Sequence, residues 1–224
     1  MDDNIILKTE KLTKEYGEGE NAFLALDKVD LEVKQGEFIA ITGESGSGKT
    51  TLLNCIGSLD RATSGSILFN GKDITKMDDN GLSAYRRKSI GFIFQNFNLI
   101  PVLNVEENIV LPLNLDNTSP DKEFLEELLK LTGLDVKRNN YPHELSGGQQ
   151  QRVAFARALI HKPKIILADE PTGNLDSKNS REIISILKNS IKKYNQTLIL
   201  ITHDGSIAAQ ADRICRITDG VLSE

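Results

Sequence analysis

Only two of the 224 residues are cysteine, Cys55 and Cys215, and no metal-ligand or redox spacing joins them. That excludes a disulfide scaffold and a thiolate metal centre, and both thiols read as reduced. No apolar run approaches the roughly 18–20 residues of a membrane span. A surplus of positive charge is also missing. Lysine and arginine number 27 against 32 acids, a net charge of −5. Binding dominated by nucleic-acid phosphates wants a basic stripe, so no nucleic acid is expected as a partner. The opening Met1-Asp2-Asp3-Asn4 is acidic, whereas a signal peptide begins basic and then turns apolar. Any membrane role is therefore expected to come through a partner. What remains is an ordinary globular composition, 26% charged, in a length that suits one domain carrying a small lobe.

Short apolar segments punctuated by glycine and asparagine organise the chain. Residues 5–9 and 23–33 predict strands, the second closed by Gln35-Gly36. Phe38-Ile39-Ala40-Ile41-Thr42 is nearly all apolar, the pattern of a strand covered on both faces. Asn70-Gly71 between Ile67-Leu68-Phe69 and Lys72-Asp73-Ile74 predicts a tight hairpin. A further strand is expected at residues 90–94. From about 96 to 162 the pattern turns helical. There Ser119 is expected as an N-cap, Pro120 at the first helical position and Asp121 in the first turn. Phe124, Leu125, Leu128, Leu129 and Leu131 follow at helical spacing up to Gly133. Strand and helix then alternate again: a strand at 164–168, a helix at 180–194 with Ile183, Ile184, Leu187 and Ile191 on one stripe, and strands at 197–202 and 213–218. This order predicts an α/β fold, a parallel-sheet core with a helical lobe inserted in it.

Three constellations carry chemistry. Gly43-Glu44-Ser45-Gly46-Ser47-Gly48-Lys49-Thr50 fits G-x-x-x-x-G-K-[ST] between a predicted strand and the helix of Leu52, Leu53 and Ile56. Such a loop turns backbone N–H groups onto phosphate oxygens at a helix N-terminus. Lys49 adds a charge for the β and γ phosphates, and the Thr50 hydroxyl is a ligand for Mg²⁺. Ile165-Ile166-Leu167-Ala168 ends in Asp169-Glu170, 120 residues beyond Lys49. A buried strand would bring Asp169 to the sheet's carboxyl edge as a Mg²⁺ ligand and Glu170 to an attacking water. Third, Leu145-Ser146-Gly147-Gly148-Gln149 opens a helix reaching towards Pro163. Ser146 and Gln149 have capping-box spacing, which a well-capped helix explains by itself. Two glycines inside the cap, however, weaken the helix and expose amides, a cost that makes sense where the helix end grips a phosphate.

Together these motifs resemble the ATP-binding subunit of an ATP-binding-cassette (ABC) transporter, over nearly the whole chain. Leu145-Ser146-Gly147-Gly148-Gln149 is similar to the family's signature motif, residues 43–50 to its Walker A and residues 165–170 to its Walker B. The resemblance implies a P-loop NTPase core, RecA-like, at about 1–95 and 163–224. It adds a mainly parallel sheet, an N-terminal antiparallel β region and the helical lobe at about 96–162. It implies that Tyr16 stacks on adenine, that residues 43–50 with Thr51 hold ATP, and that Thr50, Gln95 and Asp169 hold Mg²⁺. Gln95 then also touches the attacking water and senses the membrane partner, His203 contacts the γ-phosphate, and Asp176 belongs to the D-loop. His143 and His161 match nothing in the pattern and are expected to be structural.

Gly173-Asn174-Leu175-Asp176 departs from the commoner Ser-Ala-Leu-Asp. With Thr51-Leu52-Leu53-Asn54 and Asn98-Leu99-Ile100-Pro101, it resembles the branch of macrolide exporters, lipoprotein-releasing ATPases and antimicrobial-peptide resistance transporters. That branch implies an FtsX-type permease partner, a head-to-tail homodimer around ATP and a place at the cytoplasmic face of the membrane. The alternative is a regulatory ATPase of the cell-division type that drives a permease-like protein without cargo. DNA-repair relatives need long coiled-coil insertions between the Walker motifs, and this chain has none. A small-molecule kinase would leave the signature and His203 unexplained.

Overall fold

The computed structural model describes residues 4–224. Two compact units divide the chain: residues up to Arg86 with Thr197–Glu224, and Arg87–Gln196.

The first unit holds an antiparallel sheet. Strand β1 (Ile5–Tyr16) pairs with β2 (Phe23–Lys34) on one side and β4 (Ser64–Phe69) on the other, and β5 (Lys72–Asp73) closes the edge. β1 runs well past the expected end at residue 9. The pairing shifts between Thr9 and Leu12, and Lys11 there takes a left-handed φ of 46°. Such a bulge interrupts the two-residue alternation, hiding the second half of the strand from a periodicity reading. Asn70 and Gly71, at φ 47° and 74°, form the turn into β5 that their sequence predicts.

A second group of strands lies in the same unit. β3 (Phe38–Thr42) is flanked in parallel by β8 (Thr197–Ile201) and β9 (Arg213–Thr218), and β10 (Val221–Ser223) returns antiparallel to β9. β3 and β8 are buried nearly throughout, as continuous apolar runs require. Helix α1 (Lys49–Ile56) follows β3 and buries Leu52, Leu53, Cys55 and Ile56. Helix α2 (Asp79–Ser89) was not expected: it buries only Leu82 and Tyr85 among polar and charged neighbours, too thin a stripe to read. The Tyr85 hydroxyl donates to the Ile56 carbonyl at 3.0 Å.

In the second unit β6 (Ile90–Ile93) pairs in parallel with β7 (Ile165–Asp169), accompanied by α3 (Val105–Leu115), α4 (Lys122–Thr132), α5 (Gly147–Leu159) and α6 (Ser177–Tyr194). Helix α4 corrects one expectation. Its N-cap is Asp121, not Ser119: Asp121 keeps extended geometry (ψ 110°), and its carboxylate accepts from the Phe124 N–H at 3.2 Å. Gly133 ends α4 at φ 64°, as expected. The expected stripe Ile183, Ile184, Leu187 and Ile191 is buried along α6, which begins three residues earlier than its periodicity suggested. The turn before it explains the early start, since the Asp176 carboxylate accepts from the Asn179 N–H at 2.9 Å.

Candidate functional site

The expected site residues fall on both units, and each set has its own geometry. In the first unit, the loop after β3 passes so close to neighbouring backbone that side chains are shut out. A Cβ on Gly43 would lie 2.2 Å from the Ile217 carbonyl oxygen, and one on Gly48 2.2 Å from that of Ala25. Gly48 is the left-handed N-cap of α1 and offers no side chain to its first amides. They stay open to an anion. The Lys49 ammonium reaches back over the loop to the carbonyls of Gly43 (3.0 Å) and Glu44 (2.6 Å). Glu44, Ser45, Gly46 and Thr50 are exposed, Thr51 is half-buried and Ser47 is buried. This is a cradle for a polyanion with a cation at its rim.

Tyr16, at the end of β1, is fixed by a partner 44 positions away. Its hydroxyl donates to Asp60 at 2.6 Å, while Lys14 donates to the other carboxylate oxygen at 2.7 Å and lies 4.7 Å from the Tyr16 ring centre. Burial raises the Tyr16 pKa first, the Asp60 bond adds to it and a Thr51 hydrogen bond opposes it. Burial alone would raise Asp60 too, but Lys14 and Tyr16 hold its carboxyl below the usual range. Phe23, 60% exposed, lies 5.6 Å from Tyr16 ring to ring. Sequence reasoning missed Asp60, which lies 44 positions from Tyr16, and gave Lys14 no role beyond its place two residues before it. His203 is exposed just past β8, next to buried Thr202, whose hydroxyl accepts from the Asp204 N–H at 3.0 Å.

In the second unit Asp169 is the last residue of β7, and Glu170 follows with a left-handed φ of 47°. For a residue with a Cβ this costs about 1–3 kcal/mol and persists where surrounding structure imposes it. Such strain gathers at working sites. Gln95 is exposed two residues past β6. The 173–176 turn meets it directly: the Asn174 amide donates to the Gln95 carbonyl at 3.0 Å. At α5 the expected capping box forms in full, with Gln149 N–H to Ser146 Oγ at 3.3 Å and Ser146 N–H to Gln149 Oε1 at 2.9 Å. Leu145 and Gly148 are buried and Gly147 is exposed. Asp176 grips Asn179 through both its N–H and its side-chain amide, the latter at 2.7 Å. His161 Nε2 lies 2.9 Å from the Ile90 carbonyl, and burial lowers its pKa, as befits a packed neutral ring. His143 is exposed and stacks on Tyr141.

Residues 26–173 match the family model described as ABC transporter. The chain belongs to the ABC transporter family. It is similar to the macrolide export ATP-binding/permease protein MacB of Mannheimia succiniciproducens, 46% identical over 97% of this chain. The chain spans only 34% of that relative's length. The lipoprotein-releasing system ATP-binding protein LolD of Geobacter metallireducens is 44% identical over 96% of each chain. Among solved structures, the dimeric post-hydrolysis state of the cassette MJ0796 of Methanocaldococcus jannaschii, bound to ADP and Pi, superposes with a TM-score of 0.89. That match has 43% identity and covers 97% of both chains. The fold is thus the ABC ATPase cassette, with its antiparallel β region, parallel strands and helical segments, and the chain is an ATP-binding subunit of the ABC transporter type.

Proposed function

We propose that two copies of this cassette close on ATP, each nucleotide lying between residues 43–51 of one copy and residues 145–149 of the other. The start of α5 carries this reading. Two glycines follow the Ser146 cap, one of them exposed, and glycine is the weakest helix former after proline. An anion at those amides offsets that weakness. A chain with two anion-gripping helix ends and one lysine-bearing loop offers its second end to another copy's nucleotide. The dimeric state of the MJ0796 cassette supports the same reading.

Within that arrangement Tyr16 stacks on adenine, held by Asp60, and Lys49 and the loop amides neutralise phosphate charge. Thr50, Gln95 and Asp169 present a hydroxyl, an amide oxygen and a carboxylate, the hard oxygen donors that suit Mg²⁺. Mg²⁺ held there would supply positive charge against the phosphates. Glu170 accepts the proton of the attacking water. His203 holds the γ-phosphate, and Asp176 lies in the D-loop. Only a triphosphate engages both helix ends, so hydrolysis favours reopening. The motion drives an FtsX-type permease at the cytoplasmic face of the membrane. Macrolide export by MacB and lipoprotein release by LolD support one of these as the task, and the branch resemblance adds antimicrobial-peptide export or resistance.

Glu170→Gln tests the assignment. Turnover is expected to fall by ~10²–10⁴, the usual loss of a general base, with ATP affinity retained. A variant hydrolysing ATP at the native rate would remove Glu170 from this role.

A further inference from the structure

We infer that Asn174 is a positioning residue that sets Gln95, and that it ties Gln95 to the start of α5 in the same protomer. The inference rests on the reading of Gln95 as a group acting on Mg²⁺ and water. Between β6 and α3, the chain that carries Gln95 has no regular structure apart from turns. Its geometry is therefore set by side chains that grip its carbonyls.

Two such grips are present. The Asn174 amide donates to the Gln95 carbonyl at 3.0 Å and to Asn96 Oδ1 at 3.3 Å. Arg157, on α5, donates to the carbonyls of Asn98 (2.6 Å) and Phe97 (2.7 Å), two residues in left-handed conformation. The side chain of Gln95 is placed by the same turn. A Cβ on Gly173 would come within 2.9 Å of Gln95 Nε2 and 3.3 Å of its Cδ, so the amide of Gln95 lies against the bare backbone there. The turn then leads on to α5. Asp176 binds Asn179 through both carboxylate oxygens, and a Cβ on Gly148 would lie 2.8 Å from Asn179 Oδ1. The path runs from Gln95 to Asn174 by hydrogen bond, along the chain to Asp176, and through Asn179 to Gly148. Displacing the glycine end of α5 displaces Gln95, and the reverse.

Steady-state ATPase of the full chain tests this. Losing one such hydrogen bond corresponds to about a three- to tenfold change, so Asn174→Ala should lower kcat by that factor and leave the KM for ATP within about twofold. Asn174→Asp keeps the size but turns an acceptor towards the Gln95 carbonyl, and it should lower kcat further. Both should lower Tm by no more than about 6 °C, the most that one such hydrogen bond accounts for, which sets them apart from unfolding. In a Gln95→Ala background, Asn174→Ala should change kcat less than about twofold, because the group it positions is gone. Effects that multiply in the double variant, or a native kcat for Asn174→Asp, would overturn the inference. A native kcat and Mg²⁺ dependence for Gln95→Ala alone would instead bring down the reading of Gln95.

Discussion

Cys55 illustrates how much a single buried side chain is governed by its surroundings. It is 1% exposed on α1, the helix that follows the 43–48 loop, and its thiol is pushed up to about 11, first by burial and then by Asp60, with Lys14 opposing. The folded-state pKa is raised, so the contribution to stability is fully present below the unfolded value near 9 and is lost as pH rises through about 11. In that window the unfolded chain has released the proton that the native chain still holds. The slope is about 1.4 kcal/mol per pH unit for the one group. Thermal melts from pH 8 to 10.5 should therefore fall less steeply for Cys55→Ala than for the native chain. Parallel curves would contradict the assignment. The same scale shows what local reading can find. The 43–50 loop and the Ser146–Gln149 capping box were legible because their chemistry lies in contiguous residues. Asp60 under Tyr16 and Asn174 against Gln95 were not, since their partners lie 44 and 79 positions away.

Among the elements, α5 is built with an internal penalty. Gln151 is fully buried on it, and neither its amide oxygen nor its nitrogen meets a partner among the described residues. A buried polar group left in that state costs about 1–3 kcal/mol, and an apolar side chain of similar shape removes the cost. Gln151→Met should raise Tm by roughly 2–4 °C for each kcal/mol regained in a chain of this size. A lower Tm by calorimetry would show that Gln151 is satisfied in solution. Element bounds are legible where the apolar pattern is unbroken, as in β3, or where the strand alternates, as in β9. They were read short where a bulge intervened, as in β1, and α2 escaped because Leu82 and Tyr85 are its whole buried face. The start of α4 moved because a proline residue ahead of the cap can be taken for the first helical position, while the side chain that meets the Phe124 amide is that of Asp121.

The whole molecule is an ABC cassette in which no helix among the described residues is long and apolar enough to cross a membrane. Both compact units carry residues that the proposed mechanism needs: the lysine-bearing loop on the first, the strained Glu170 and the glycine end of α5 on the second. That mechanism stands on ATP being shared between copies. Analytical ultracentrifugation of Glu170→Gln, with and without ATP and Mg²⁺, measures that sharing. The expected result is a monomer without nucleotide and a stable dimer with it, abolished when Ser146→Arg is added. A Glu170→Gln chain that stays monomeric at saturating ATP would contradict it.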